Sequence, residues 1–333
     1  MQHLSRSYRL QRFNCIAVSA LLGLAGVVYA ACPATPVTAP LGTFRTLSVA
    51  IPGFENDPTY GDKAAFVYVP SSYQRTQPMP LFIVLHGTAG SPTAAIGQAS
   101  IFRGLWAGVA EAGGFIVAAP AASGTVGGWI APINETDTPS DYDVVWALIQ
   151  RLTREYNVDP ARRYLWGFSS GGHVTLDIAL ASVHRQLNSE FFAGFGLSAG
   201  VSAGLACAGL NAALCNSEVF GKGTSKRPID VRIGQSDPLW PRALEDRPRF
   251  LANGWLEGVT FFWHPFVGVH EVPGDQPMQI WNNLCSFRNR AVEVPVITAP
   301  TQPRRIDSQA NPRSKPTVVS TPARANPGLR PRD

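Results

Sequence analysis

The chain has 333 residues, of which 45% are hydrophobic and 15% charged, a balance typical of a globular protein with a sizeable core. Its formal charge of +5 arises at the two ends, because residues 31–290 carry 18 basic and 20 acidic side chains. This nearly neutral central region gives no electrostatic support for nucleic-acid binding, so we expect no nucleic-acid partner.

Residues 1–30 have the pattern of a signal peptide. Three arginines precede an apolar run from Cys15 to Tyr29, and small side chains near Ala30 favour cleavage after that residue. The run is short for a membrane span, so we expect no stable membrane insertion. The pattern predicts a secreted or periplasmic protein, and Cys32, just past the cleavage point, leaves a lipoprotein as a minor alternative.

Four cysteines remain once Cys15 is removed, and an even number in an exported chain suggests two disulfides. Cys207 and Cys215 are close enough in sequence to close a short loop, which leaves Cys32 to pair with Cys285. No CxxC motif and no histidine cluster accompanies these cysteines, so we predict no metal site.

Residues 44–290 are predicted to form one domain in which apolar runs alternate with helical patterns. The predicted strands are Phe44–Ile51, Ala64–Pro70, Leu81–His86, Phe115–Pro120, Tyr164–Phe168, Phe192–Leu197, Ile229–Gly234 and Val259–Trp263. Helices are predicted from Ser91 and from Ser140, both good capping residues. The alternation indicates an α/β fold with a mostly parallel sheet of about eight strands and helices on both faces.

The segments on either side of this domain have the composition of non-globular chain. Residues 31–43 are rich in Pro, Thr and Ala, and we predict a short leader there. Residues 291–333 hold eight prolines and seven basic residues but no aromatic residue. Such a segment cannot bury a core, so we predict a disordered tail.

A G-x-S-x-G motif centred on Ser169 lies between the apolar run Tyr164–Phe168 and the helical stretch Val174–Leu180. In this context the motif is typical of a nucleophile elbow, a strained turn that lifts a serine hydroxyl above a sheet. Gly167 and Gly171 carry no Cβ, so the strand and the helix can approach closely around the serine. The pattern predicts Ser169 as a nucleophile.

A serine nucleophile needs a base that removes its proton. Three histidines follow the elbow itself: His184, predicted to be exposed at a helix end, His264 at a strand end, and His270 in a loop past the last strand. At a strand end, a core role for His264 is as expected as a catalytic one, whereas a loop past the last strand can bring an imidazole over the carboxyl edge of the sheet. We therefore predict His270 as the base.

The base in turn needs an acid that orients it. Asp237 lies in the turn after the strand Ile229–Gly234, at the same carboxyl edge. Asp230 lies at the beginning of that strand, at the wrong end, and Asp246 lies in a charged segment predicted to be solvated. We therefore predict Asp237 as the acid, against the alternative of an Asp-Pro turn with no catalytic role.

Two loops complete the predicted site. The loop after Leu85 starts with His86-Gly87, and we expect the backbone N–H groups of Thr88 and Ser170 to form an oxyanion hole. Within the substrate-binding region, His86 is predicted to hold this loop rather than act as a base. Trp129 is predicted either as an aromatic wall for the substrate or as a packing residue.

Several motifs occur together in an order found in one enzyme family. They are Phe66–Pro70, Pro80–Gly87, Val158–Gly172, Gly-x-x-Asp-Pro around Asp237 and Gly-x-His-x-x-Pro around His270. Together they resemble the secreted polyhydroxybutyrate-depolymerase-like and feruloyl-esterase-like branch of the α/β-hydrolases, carbohydrate esterase family 1. The likeness covers residues 60–285 of the chain.

The resemblance implies an α/β-hydrolase catalytic domain at 44–290 and a serine carboxylic ester hydrolase. Its substrates would be polyesters, feruloyl esters or short acyl esters, small or polymeric, and it would need no cofactor. Two alternatives remain open. One is an acyltransferase with the same triad, and the other is a non-catalytic wall-binding or carbohydrate-binding module on a hydrolase scaffold.

Overall fold

The structure is a computed structural model that describes residues 32, 39–222 and 226–289. The predicted signal peptide at 1–30 and the predicted tail at 291–333 lie outside the described residues, as do most residues of the predicted leader. Among the helices of the described segments, none is both long enough and apolar enough to cross a membrane.

Eight strands form one sheet in the order β1-β2-β4-β3-β5-β6-β7-β8. They are β1 Thr43–Val49, β2 Lys63–Val69, β3 Met79–Leu85, β4 Ile116–Pro120, β5 Val158–Phe168, β6 Gly194–Ser198, β7 Ile229–Gly234 and β8 Phe261–Phe266. Strand β2 is antiparallel to β1 and β4, whereas every other neighbouring pair in this sheet is parallel. The predicted class, a mostly parallel sheet of about eight strands, is confirmed.

Helices connect most of the strands. They are α1 Pro92–Gly113, α2 Asp141–Glu155, α3 Ser170–Leu180, the short α4 Ala212–Leu214 with a π-helical turn at Cys215–Phe220, α5 Trp240–Ala252 and α6 Gln276–Leu284. Local signals define the first two as predicted: Ser91 caps α1 through a hydrogen bond from the Ala94 N–H, and Ser140 forms a capping box with Asp143.

Both faces of the centre of the sheet are buried. On one face, Phe82 and Val84 of β3 belong to a cluster with Trp106 of α1 and Trp281 of α6. Successive side chains of a strand point to opposite faces, and Leu81, Ile83 and Leu85 are also fully buried. The central strand is therefore covered on both sides, which leaves the edges and loops of the sheet for a site.

The structure departs from the sequence prediction in three elements. Strand β5 begins at Val158 rather than Tyr164, because Val158 pairs with Met79 before an irregularity in the register. That irregularity lies beside the Asp159-Pro160 sequence, where proline has no backbone donor for the sheet. Helices α5 and α6 were not predicted, and α5 contains Pro248 in its interior.

Two disulfides are present, Cys32–Cys285 and Cys207–Cys215, as predicted. The first joins the start of the described chain to the end of α6. Because the sulfur of Cys32 is bonded to Cys285, it is not free to carry a lipid in this structure. The minor alternative of a lipoprotein is therefore not supported by the structure.

Candidate active site

Ser169 lies between β5 and α3 with a backbone φ of 52° and ψ of −117°, a strained conformation for a non-glycine residue. The neighbouring backbone segments are in close contact. A Cβ on Gly167 would lie 2.0 Å from the Gly171 carbonyl oxygen, and a Cβ on Gly171 would lie 2.5 Å from the Leu85 carbonyl oxygen. Only glycine fits at these two positions, and the turn that presents the serine depends on them.

His270 lies between the serine and an acid. Its Nε2 atom is 2.9 Å from the Ser169 Oγ, and its Nδ1 atom is 2.8 Å from the Asp237 Oδ2. The Asp237 side chain is buried, and its other oxygen accepts a hydrogen bond of 2.8 Å from the Leu239 N–H. The three predicted residues are thus within hydrogen-bond distance in the order needed to move a proton from a hydroxyl to an imidazole.

Backbone contacts hold together the two loops that carry Asp237 and His270. The Ser236 N–H donates to the Gly268 carbonyl at 2.9 Å. A Cβ on Gly234 would lie 2.4 Å from the Val269 carbonyl oxygen, so these two backbone segments are too close together for any residue other than glycine at position 234. The end of β7 and the loop after β8 consequently bring the acid and the imidazole together.

The two predicted oxyanion donors lie beside the serine. A Cβ on Gly87 would lie 3.1 Å from the Ser169 Cβ, which places Thr88 immediately next to the elbow. Neither the Thr88 N–H nor the Ser170 N–H has an acceptor among the described residues. Ser170 also starts α3, where backbone N–H groups and the helix dipole favour negative charge. An oxyanion placed there would find two free donors.

His86 is fully buried and links two loops. Its Nε2 accepts a hydrogen bond of 3.1 Å from the Ala122 N–H, so Nδ1 carries the proton and donates to the Gly87 carbonyl at 2.6 Å. Burial lowers the pKa of His86, partly offset by the bond to Gly87. The half-buried Trp129 donates from Nε1 to the His86 carbonyl at 2.8 Å. Both side chains thus anchor loops around Thr88.

The other histidines considered as bases are engaged elsewhere. His184, predicted to be exposed, is buried: its Nδ1 accepts from the Gln186 and Leu187 N–H groups, and its Nε2 is 3.2 Å from Asp143. The prediction of exposure was wrong because the loop after α3 folds back onto α2. The Nε2 of His264 lies 3.1 Å from the Asn283 amide.

The other acids also have local partners. Asp246 was predicted to be solvated, but it is buried. Its carboxylate accepts hydrogen bonds from the Ser202 N–H and hydroxyl and forms an ion pair with Arg249. Burial raises the pKa of Asp246, against the lowering effect of these bonds. Asp230 forms a buried ion pair with Arg232. Neither is bonded to a histidine.

Sequence reasoning missed Asp141, the first residue of α2. Its Oδ2 accepts hydrogen bonds from the Ser123 N–H at 3.1 Å and the Ile130 N–H at 2.7 Å, so it closes the loop between them. Burial raises the pKa of this fully buried carboxyl, against the lowering effect of the two bonds. An acid after a capping serine looks like ordinary helix-start chemistry, so no local signal distinguished it.

No known protein-family profile matches the chain. A bifunctional acetylxylan esterase/xylanase of Neocallimastix patriciarum is 28% identical over 167 residues, which cover 50% of this chain and 20% of that protein. The match thus spans about a fifth of that relative's length.

Solved structures share the fold at low sequence identity. A ferulic acid esterase has a TM-score of 0.54 and 16% identity, covering 74% of this chain and 99% of its own. An S-formylglutathione hydrolase from Agrobacterium tumefaciens has a TM-score of 0.50 and 16% identity, covering 74% and 94%. The chain therefore has the α/β-hydrolase fold, and the predicted resemblance to feruloyl-esterase-like α/β-hydrolases is confirmed.

Proposed function

We propose that the protein is an exported serine esterase that hydrolyses carboxylic esters through an acyl-enzyme. The observation that carries the proposal is the hydrogen-bonded chain from the Ser169 hydroxyl through the imidazole of His270 to the buried carboxylate of Asp237. A strained serine at a strand-to-helix turn supports the same conclusion, because nothing in folding alone favours that conformation.

In the proposed reaction, the Ser169 Oγ attacks the ester carbonyl while the Nε2 of His270 takes its proton. Asp237 holds the Nδ1 proton and stabilises the imidazolium that forms. The N–H groups of Thr88 and Ser170 stabilise the oxyanion of the tetrahedral intermediate. His270 then returns the proton to the departing alcohol, and water repeats the sequence to release the acid.

Two observations support esters and export. The protein that resembles this chain in sequence is named an acetylxylan esterase/xylanase. One of the two solved structures described above is named a ferulic acid esterase. Two disulfides and a signal-peptide pattern at 1–30 are typical of a protein that matures in an oxidising compartment.

Hydrolysis by the purified protein of p-nitrophenyl acetate, methyl ferulate and a polyhydroxybutyrate film tests the proposal. Ser169→Ala should lower turnover of the accepted esters by roughly 10³-fold or more, with an unchanged melting temperature. An added alcohol acceptor separates hydrolysis from acyl transfer in the same assay. Turnover that survives in Ser169→Ala, or a folded wild type inactive on every ester, would contradict the proposal.

A further inference from the structure

Three buried polar side chains form a hydrogen-bonded network next to the elbow. Ser198, the last residue of β6, accepts a hydrogen bond of 3.2 Å from the Trp166 indole N–H, and its Oγ lies 2.8 Å from the Gln276 Oε1. An indole only donates, so the single hydroxyl proton of Ser198 is free to bond to Gln276. All three residues are at most 3% exposed. The network is therefore closed off from solvent.

Folding alone does not favour a glutamine at position 276. Gln276, Ile280 and Leu284 are all buried and recur every fourth residue along α6, the spacing of a helix face that packs on a core. An apolar side chain would suit the first of these positions as it suits the other two. The Nε2 of Gln276 is buried without a hydrogen-bond partner among the described residues, which costs stability. What the glutamine supplies, and an apolar residue would not, is the bond to Ser198.

The Ser198 end of this network is joined to the proposed nucleophile. The Ser169 N–H donates to the Ser198 carbonyl at 2.9 Å, and Ser198 pairs with Phe168 in the sheet. Trp166 belongs to the same strand, β5, so its indole attaches the end of that strand to the Ser198 hydroxyl. Ser198 therefore holds the elbow through both its main chain and its side chain.

The Gln276 end is joined to the loop that carries the proposed base. Gln276 starts α6 directly after this loop, and its N–H donates to the Pro273 carbonyl at 3.0 Å. Val272, which lies between His270 and Pro273, packs against the core cluster that contains Trp166. Gln276 therefore anchors the C-terminal side of the loop.

We propose that Gln276 is a positioning residue: through its bond to Ser198 it holds the loop of His270 at hydrogen-bond distance from Ser169. The inference rests on the proposed esterase function. Proton transfer depends on the 2.9 Å contact between the His270 Nε2 and the Ser169 Oγ, and small displacements of reacting groups are costly. Because Gln276 offers almost no surface to a substrate, its loss should slow the reaction without weakening substrate binding.

The test compares Gln276→Met with wild type in the hydrolysis of p-nitrophenyl acetate. Methionine fills a similar volume but lacks the amide oxygen that Ser198 bonds. We expect kcat to fall by about 10-fold with an unchanged KM, because His270 serves both the acylation and the deacylation step. Inactivation by phenylmethylsulfonyl fluoride, which reports the reactivity of Ser169, should slow by the same factor. In a double-mutant cycle with Ser198→Ala, the two losses in kcat should be clearly less than additive.

Tyr142→Phe is the matched control, because it also removes a buried hydrogen bond, one of 2.6 Å to Asp177 that joins α2 to α3. It should lower the melting temperature and keep the wild-type kcat. A wild-type kcat in folded Gln276→Met, additive losses in the cycle, or an equal loss in Tyr142→Phe would each overturn the inference and leave the esterase intact. If Gln276→Met does not fold, Ser198→Ala decides, with the same expected loss. A wild type inactive on esters would remove the proposed function and the inference with it.

Discussion

The two halves of the site are built by different means. The nucleophile half, made of the loop at Thr88, the elbow at Ser169 and the loop from Ser123 to Ile130, is fixed by backbone segments in contact through glycines. The base half, made of the turn at Asp237 and the loop at His270, is more exposed. Val267 and Val269, just before His270, are 93% and 56% exposed.

The difference shows which groups fix the geometry of each half. In the nucleophile half, an added Cβ at Gly167 or Gly171 meets a carbonyl oxygen, so geometry is specified by the main chain. In the base half, Gly234 makes a similar backbone contact with Val269, but the exposed loop that carries His270 is also oriented by a buried side chain, Asp237, whose two oxygens are both bonded. We therefore expect side-chain chemistry to be the weak point of the base half and steric change to be the weak point of the nucleophile half.

The largest effect is expected from Asp237→Asn. An asparagine has the same shape, but its amide favours the wrong tautomer of His270, so kcat should fall by roughly 10⁴-fold. Steady-state kinetics and a melting curve measure the change. Asp246→Asn is the matched control, because Asp246 is also a buried acid with hydrogen-bond partners but contacts no histidine. Equal losses of turnover per folded molecule in the two variants would contradict the assigned role.

A steric change in the nucleophile half should have an intermediate effect. A Cβ on Gly87 would lie 3.1 Å from the Ser169 Cβ and 3.2 Å from the Phe168 ring, so Gly87→Ala must displace one of them by tenths of an ångström. We expect kcat/KM to fall by about 10-fold, since small misplacements of reacting groups are costly. Gly274→Ala, which adds a Cβ with nothing within 4 Å, should be neutral. Wild-type kinetics in Gly87→Ala would show that the contact is not tight.

The sequence was informative where the chemistry is local to one strand and its turn. Ser169, Asp237 and His270 each follow a strand, so their motifs predicted the edge of the sheet at which the structure brings these three side chains together. The pairing of Cys207 with Cys215 followed from short spacing and that of Cys32 with Cys285 by elimination.

Burial that depends on distant segments was not predictable from local patterns. The residues next to His184 and Asp246 in the sequence are mostly polar, which suggests exposed positions. In the structure, α2 covers His184 and the turn at Ser202 covers Asp246. The helix α5 escaped prediction because Pro248 removes a backbone donor and argues against a helix interior. There the buried face at Ala243 and Phe250 outweighs local propensity.

The nucleophile half should also respond to acid. His173, in the first turn of α3, accepts a hydrogen bond at Nδ1 from the Val201 N–H, and burial lowers its pKa. Below about pH 6.5 the unfolded chain therefore takes up a proton that the folded chain does not. As the pH is lowered below about 6.5, the contribution of His173 to the free energy of unfolding should decrease. Once the pH is below the pKa of His173 in the folded protein, this contribution should stay constant.

Urea unfolding of wild type and His173→Gln between pH 7.5 and pH 5 measures this contribution. Glutamine offers an oxygen to the Val201 N–H but does not titrate, so the stability advantage of wild type should shrink on acidification, by at most about 1.4 kcal/mol per pH unit. His86 and His264 also have pKa values lowered by burial, but they are common to both proteins and cancel in the difference. A difference that stays constant with pH would mean that His173 does not make the elbow sensitive to acid.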